Sequence, residues 1–183
     1  RRNDTAGVAR QYERLNALRP ADSLRCHGRY LMGETHMRNG RHAQAIPVLS
    51  DLPAWHPDYT FAQYSMAVAY NAIGNFDSAR IALDKCLEYS PSTIAQQEMM
   101  QKARVMLGYL YLEHADELDS ALAKATRVLR RVLKDSYYFD EALLGLAWTS
   151  FKAAQWEDCI IAADALAATG SRALQAEGLL LKA

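Results

Sequence analysis

Histidines and glycines are the first residues of this chain to test for chemistry. Histidine serves as a metal ligand or a proton-transfer group, but His36 and His42 stand on either side of a predicted turn, with no HExxH or paired-carboxylate motif around them. The glycines are isolated and form neither a GxxxxGK nor a GxGxxG phosphate-binding loop. We therefore predict no catalytic residue, no bound metal and no cofactor. The residues interpreted as surface or turn histidines are His27, His36, His42, His56 and His114.

Cysteine spacing and a run of acidic residues complete this search. Cys26, Cys86 and Cys159 match neither a disulfide framework nor a zinc site. Three unpaired thiols favour a reducing compartment such as the cytoplasm, and a periplasmic or membrane-tethered location through a preceding segment stays open. The acidic run predicts a solvated face. Its members are Glu98, Glu113, Asp116, Glu117 and Asp119.

Composition limits the elements that position these residues. The chain has 183 residues, of which 50% are hydrophobic, and its formal net charge is zero. Without a basic excess, binding to nucleic acid or to a membrane surface is not expected, and no apolar run is long enough to span a membrane. The sequence contains 31 Ala and 23 Leu against 6 Val and 6 Ile, so we expect an all-α fold.

An internal repeat appears when the sequence is compared with a shifted copy of itself. A shift equal to the separation of Gly40 and Gly74 brings many positions into register. Punctuating glycines and prolines coincide at this offset, together with apolar and aromatic positions. The matched pairs are Gly40 with Gly74, Pro57 with Pro91, Ala45 with Ala79, Met32 with Met66, Gly33 with Ala67, Tyr30 with Tyr64, Leu49 with Leu83, and Trp55 with Tyr89. Eight coincidences at one offset predict two consecutive copies of one structural unit.

Each copy has the pattern of two helices. In the second copy, apolar residues at helical spacing run from Thr60 to Ile73, and a second helix follows the Gly74 turn and continues to Tyr89. Small residues within these helices mark places where two helices approach closely, because a larger side chain would separate them.

This unit resembles the tetratricopeptide repeat, a helix–turn–helix whose length equals the offset found here. In the second copy the matching residues are Ala67, Tyr70, Gly74, Ala79, Leu83, Cys86 and Pro91. In the first copy, which begins at Cys26, they are Gly33, Gly40, Ala45, Leu49 and Pro57. The first copy departs from the pattern at His36 and Leu52, and its Pro47 is tolerated only in the first turn of a helix. The resemblance implies buried structural roles for Cys86 and Cys159.

Two further units are less regular. A third begins near Gln101, after a helical extension over 94–100 that Ser92 or Thr93 caps, and its second helix is expected over about 118–134. A fourth begins at Asp140. These two starts are farther apart than the repeat length, which predicts an extended helix or loop near 135–137.

The resemblance implies a right-handed α-solenoid of antiparallel helix pairs, forming one continuous domain. The predicted organisation is a second helix of a preceding unit over 1–22, units over 23–59 and 60–93, a third unit with extended helices over 94–139, a fourth over 140–172, and a first helix of a following unit over 173–183.

In this family the first helices line a concave groove. Carried over position by position, the resemblance implies a partner-binding groove rich in aromatic side chains, which favour interaction hot spots. Its expected residues are Tyr30, Glu34, Phe61, Tyr64, Val68, Asn71, Tyr109, Leu112, Trp148 and Phe151. Tyr30 and Glu34 stand where the family's chaperone-binding members need Lys and Asn to clamp a carboxylate, so a chaperone-tail adaptor is not expected. Inter-helix packing is the alternative role for these aromatic side chains.

The expected function is a non-catalytic scaffold that binds a peptide or helical segment of a partner protein in this groove. One alternative is a self-assembling structural solenoid, which would form homo-oligomers through exposed ends that include Leu179, Leu180 and Leu181. Another is the helical, non-catalytic portion of a larger multidomain protein. The sequence does not identify the partner.

Overall fold

A computed structural model describes residues 4–17, 22–114, 118–169 and 172–182, and all regular secondary structure over these residues is α-helical. The helices are α1 (Thr5–Ala17), α2 (Asp22–Arg38), α3 (His42–Ser50), α4 (Tyr59–Ala72), α5 (Phe76–Glu88), α6 (Ile94–Glu113), α7 (Leu118–Leu129), α8 (Phe139–Lys152), α9 (Trp156–Thr169) and α10 (Arg172–Lys182). The chain forms two compact units, Arg1–Ser92 with α1 to α5 and Thr93–Ala183 with α6 to α10. The prediction of an all-α fold is confirmed.

Within each unit, helices that follow one another along the chain pack against each other. In the first unit α1 contacts α2, α2 contacts α3, α3 contacts α4, and α4 contacts α5. In the second unit α6, α7, α8, α9 and α10 contact one another in the same sequential way. In addition, α2 contacts α4, and α8 contacts both α6 and α10. The first helices of successive pairs therefore adjoin, as expected for helical repeats of this type.

The closest helix approaches pair a glycine of a first helix with a leucine of the following helix. A Cβ atom placed on Gly33 would overlap the Leu49 side chain, and one placed on Gly108 would lie 2.6 Å from Leu129. Leu129 also occupies the space beside Gly145 of α8, where a Cβ atom would lie 2.9 Å away. Because Leu49 and Leu129 are fully buried, they have no room to move aside.

We expect Gly108→Ala to lower the free energy of unfolding by about 1–2 kcal/mol, although alanine is the better helix former, because its Cβ would overlap Leu129. In a Leu129→Ala background the overlap is gone, so the same change should raise the free energy of unfolding by about 1 kcal/mol. Urea unfolding of the four proteins measures both effects. Equal effects of Gly108→Ala in the two backgrounds would contradict the packing described.

Three turns inside helix pairs, those between α2 and α3, α4 and α5, and α8 and α9, each place one residue in the left-handed backbone region. Gly40 and Gly74 have φ angles of 69° and 78°, as the sequence pattern predicts for helix-ending glycines. In the third turn of this kind Ala154 takes φ 54°. The fourth predicted unit lacks the glycine but keeps its backbone conformation, at a steric cost that glycine avoids.

Ala154→Gly should therefore raise the free energy of unfolding by about 1 kcal/mol, because it removes the unfavourable contact of Cβ with the backbone. Gly74→Ala should lower it by a similar amount. Denaturant melts of both variants against wild type provide the comparison. A loss of stability in Ala154→Gly would mean that this turn is not held in the left-handed conformation.

Helix starts follow the local sequence. Thr93 caps α6, since its hydroxyl accepts from the Gln96 amide at 3.2 Å while the Gln96 side chain accepts from the Thr93 amide at 3.2 Å. This reciprocal pair confirms the predicted cap and the helical extension before Gln101. In the first unit, the Asn75 side chain accepts from the Ser78 amide and caps α5.

The predicted position of the extra residues near 135–137 is wrong. Leu129 precedes Ala147 by the same number of positions as Leu49 precedes Ala67, so the connection between α7 and α8 is not expanded. By contrast, Gly108 stands farther along the chain from its packing partner Leu129 than Gly33 stands from Leu49. The additional residues therefore lie between Gly108 and Leu129.

Two helix details also differ from expectation. The expected helix over 118–134 ends at Leu129, because the amides of Arg131 and Val132 bond to carbonyls three positions back and the Leu133 amide bonds to the side chain of Gln101. Pro47 lies in the second turn of α3 rather than the first, so it removes a hydrogen bond to the Ala43 carbonyl there.

Candidate protein-interaction surface

The first unit presents a surface built from α2 and α4, which we call the α2–α4 face. All six groove residues expected in this unit lie on these two helices, and each is half-buried. They are Tyr30, Glu34, Phe61, Tyr64, Val68 and Asn71. Aromatic and aliphatic surface therefore remains accessible along both helices of this face.

Glu34 joins the two helices of this face. Its carboxylate accepts a hydrogen bond from the Ser65 hydroxyl of α4. Burial raises the pKa of the neighbouring Tyr30 above its usual range, with further contributions from Glu34 and Asp58. Tyr30 and Glu34 also line a cleft of about 710 Å³ against α1, with Arg38 at its edge. The Glu34 carboxylate is therefore already engaged by a neighbour within the unit.

The groove residues expected in the second unit separate into packing residues and exposed residues. Leu112 is buried in a cluster with Leu122 and Ala125, so its side chain supports the core. The Tyr109 ring packs against the same cluster, and its hydroxyl donates to the Glu141 carbonyl of α8 at 3.2 Å. The surroundings of Tyr109 and Leu112 therefore agree with the alternative role, inter-helix packing.

Trp148 and Phe151 of α8 are exposed, with 38% and 43% of their surface accessible. Their rings meet edge to face at 5.9 Å, and Phe151 makes a second such contact at 5.7 Å with Trp156, which is 58% exposed. We call Trp148, Phe151 and Trp156 the aromatic cluster. Trp156 was not assigned to a binding surface from the sequence. Its position at the start of α9, shortly after the end of α8, could have indicated that it lies close to Phe151.

Acidic residues of the second unit act on the half-buried Tyr109 side chain. Burial raises the pKa of Tyr109 to about 12, and Glu177, Glu141 and Glu113 raise it further through their negative charge. Glu113 lies at the end of α6, Glu141 on α8 and Glu177 on α10. Acidic residues on three helices of the second unit thus influence the Tyr109 hydroxyl through their charge.

The raised pKa of Tyr109 predicts that the protein loses stability at alkaline pH. The folded chain holds the Tyr109 proton more tightly than the unfolded chain. The contribution of neutral Tyr109 to the free energy of unfolding is therefore complete below pH 10 and is lost as the pH rises toward about 12. We expect the stability advantage of wild type over Tyr109→Phe to shrink between about pH 9 and pH 11.5. Urea unfolding at several pH values tests this, and a constant difference would contradict it.

A histidine pair with one aspartate anchors the loop before α4, and sequence reasoning missed it. His56 is buried, with only 3% of its surface exposed, and it lies in the turn region between α3 and α4, so of the predicted surface or turn position it takes the turn. Its Nδ1 accepts from the Asp58 amide at 3.2 Å, so Nε2 carries the proton and donates to the Ser23 carbonyl at 3.0 Å. The Asp58 carboxylate lies 2.6 Å from His27 Nδ1 on α2. Nearly a full repeat separates the loop from its partners on α2 in sequence, which hid their proximity.

Both ring nitrogens of His56 are engaged in a buried setting, so His56→Ala should lower the free energy of unfolding by about 2 kcal/mol. His27→Ala is the matched control, because its side chain is half exposed and its pair with Asp58 contributes less than about 1 kcal/mol. Thermal or urea unfolding ranks the two variants. A larger loss for His27→Ala would contradict this assignment.

The cysteines and the acidic run are the remaining residues that the sequence analysis considered for chemistry. All three cysteines are buried, and burial raises the pKa of Cys159. The predicted solvated acidic face is wrong for Glu98, whose carboxylate accepts from the Ser136 hydroxyl and the Tyr137 amide. Asp116 and Glu117 of that run lie outside the described residues. Over the described ranges, no cluster of three or more His, Cys, Asp or Glu residues is arranged to hold a metal ion.

The fold and these surfaces define a helical-repeat protein. A model of the tetratricopeptide repeat family matches residues 36–105, from the end of α2 into α6. The match covers fewer than half of the residues, and over this stretch the chain is similar to tetratricopeptide repeats. Such repeats generally mediate protein–protein interactions and are generally non-catalytic. No sequence among the curated proteins matched the chain. Among the described helices, none is long and apolar enough to cross a membrane.

Proposed function

We propose that this chain is a non-catalytic interaction module that binds a peptide or helical segment of another protein on the exposed aromatic surface of its first helices. The observation that supports this most strongly is the aromatic cluster. Three large rings remain accessible at the end of α8 and the start of α9, although they contact one another edge to face. Exposed Trp and aromatic groupings of this kind are typical of interaction hot spots.

The α2–α4 face supports the same function in the first unit. Phe61, Tyr64 and Val68 follow one another at helical spacing along α4, and each keeps part of its surface accessible. The Glu34 carboxylate, held by Ser65, lies beside them and disfavours a partner that presents its own carboxylate. A neutral or basic segment suits this face better than an acidic tail.

The test uses the whole chain as bait in affinity capture followed by mass spectrometry. Two double variants remove one surface each: Phe61→Ala with Tyr64→Ala, and Trp148→Ala with Phe151→Ala. We expect at least one of them to lose proteins that wild type retains, by about tenfold or more, since hot-spot aromatics dominate binding. Equal helical content by circular dichroism must be shown first.

Trp55→Ala is the matched control, since Trp55 is an exposed tryptophan, with 61% of its surface accessible, that belongs neither to the α2–α4 face nor to the aromatic cluster. It should retain the same proteins as wild type. If both double variants retain the wild-type set, the proposed surfaces are not the binding sites.

Self-assembly is a second candidate because α10 exposes two large apolar side chains, Leu179 and Leu180. It predicts oligomers that grow with concentration and dissociate in a Leu179→Ser, Leu180→Ser variant. Sedimentation velocity distinguishes this from the interaction module, which predicts the same mass for both proteins at all concentrations.

A further inference from the structure

The second unit combines the aromatic cluster with a set of carboxylates on one side of α8. Glu141 and Trp148 are two helical turns apart on α8, which places them on the same side of the helix, roughly 10 Å apart along its axis. Glu113 and Glu177 are exposed, and Glu141 is half-buried. An apolar surface and an acidic surface therefore lie within reach of one short peptide.

The charges of Glu113, Glu141 and Glu177 all act on one side chain, Tyr109. The Tyr109 hydroxyl bonds to the backbone carbonyl of Glu141, which fixes the ring beside the N-terminal half of α8. The negative charges of Glu113 and Glu177 also act on this phenol. Glu141 is thus tied to Tyr109 through its backbone, and acidic residues of α6 and α10 act on the same ring through their charge.

The nearby ammonium groups are directed to other partners. Lys152 donates to the Leu112 carbonyl near the end of α6 at 2.9 Å, where a cation opposes the negative end of the helix dipole. Lys102 lies over the Tyr138 ring, 5.8 Å from its centroid. Lys182 pairs with Asp164 at 2.6 Å. Lys102 and Lys182 are thus engaged by Tyr138 and Asp164, whereas the Lys152 ammonium lies one residue from Glu113.

At the other end of the aromatic cluster, further acidic residues follow Trp156. Glu157 and Asp158 stand in the first turn of α9, and both are exposed. Asp158 lies 4.0 Å from Arg130, so its charge is partly balanced, whereas Glu157 adds negative charge next to Trp156. The aromatic cluster is therefore flanked by acidic groups on both sides.

We propose that the partner of the second unit is a basic peptide segment, with an apolar or aromatic residue packed on the aromatic cluster and a Lys or Arg side chain paired with the carboxylates around Tyr109. This inference rests on the proposed function and specifies its ligand. The separation of the two surfaces corresponds to about three residues of an extended peptide. Charge complementarity supplies the specificity and an affinity that falls as salt rises.

A displayed library of short random peptides provides the test, selected on the whole chain and counter-selected on the Trp148→Ala, Phe151→Ala variant. We expect the enriched peptides to carry net positive charge and an apolar residue about three positions from a Lys or Arg. Synthetic copies of these peptides should bind about tenfold more weakly to a Glu141→Gln, Glu177→Gln variant and about as tightly as wild type to Glu88→Gln, an exposed glutamate of the first unit.

The outcomes separate this inference from the function beneath it. Neutral or acidic peptides that depend on Trp148 and Phe151 would overturn the inference while supporting an interaction surface. Basic peptides whose affinity is unchanged by the glutamine substitutions would also overturn it, because the carboxylates would then play no part. Selection that enriches nothing above the counter-selected background would overturn the inference together with the role of the aromatic cluster in binding, and would leave the α2–α4 face to the affinity-capture test. If the double variant loses helical content, Trp156→Ala replaces it in the counter-selection, with Trp55→Ala as its control.

Discussion

Leu129 fills the space between two glycines that belong to different helices. A Cβ atom on either Gly108 of α6 or Gly145 of α8 would overlap it, so its side chain sets how closely α6, α7 and α8 approach. Leu49 and Gly33 make the same contact between α2 and α3. Close-packed interiors respond to single methyl groups, so these contacts fix the positions of the first helices far more firmly than helix propensity does.

Once the first helices are fixed, the remaining sides of these helices become the surface. The apolar residues beside Leu129, including Val105, Val132 and Ala142, are used in the core. Trp148 and Phe151 point away from that core and stay exposed. Loops are held by polar contacts of the same helices: Glu98 and Gln101 of α6 bind the backbone over 133–137, and Ser23 of α2 binds His56. Packing and surface therefore follow from one arrangement.

Features encoded locally could be predicted from the sequence. The helices, the Thr93 cap and the turn glycines depend on residues within a few positions of each other, and the structure confirms them. The repeat offset also matched Gly33 with Ala67 and Leu49 with Leu83, although it did not show that Gly33 contacts Leu49. Features that depend on which distant residues meet were not predicted, such as the contact of His56 with Ser23 and the place of the additional residues of the third predicted unit.

The candidate surface was also predicted only in part, because the exposure of a side chain depends on contacts with residues distant in sequence. Tyr109 and Trp148 occupy the same repeat position, yet the Tyr109 ring is partly buried because it packs beside Gly145 of the neighbouring helix, which has no side chain to displace it. The periodicity of a single chain segment gives the side of the helix but not the size of the side chain opposite. Exposure of an aromatic residue is therefore decided by its neighbour, which explains why the sequence grouped packing residues with surface residues.

Photo-cross-linking tests most directly the claim that partners bind the exposed side of the first helices. A peptide selected on this chain, with a photoreactive group at its apolar residue, would be irradiated with the full chain and the adduct located by mass spectrometry. The account predicts adducts on the segment that contains Trp148, Phe151 and Trp156. Adducts confined to the second helices α3, α5 and α7, or to the exposed Trp55, would contradict it.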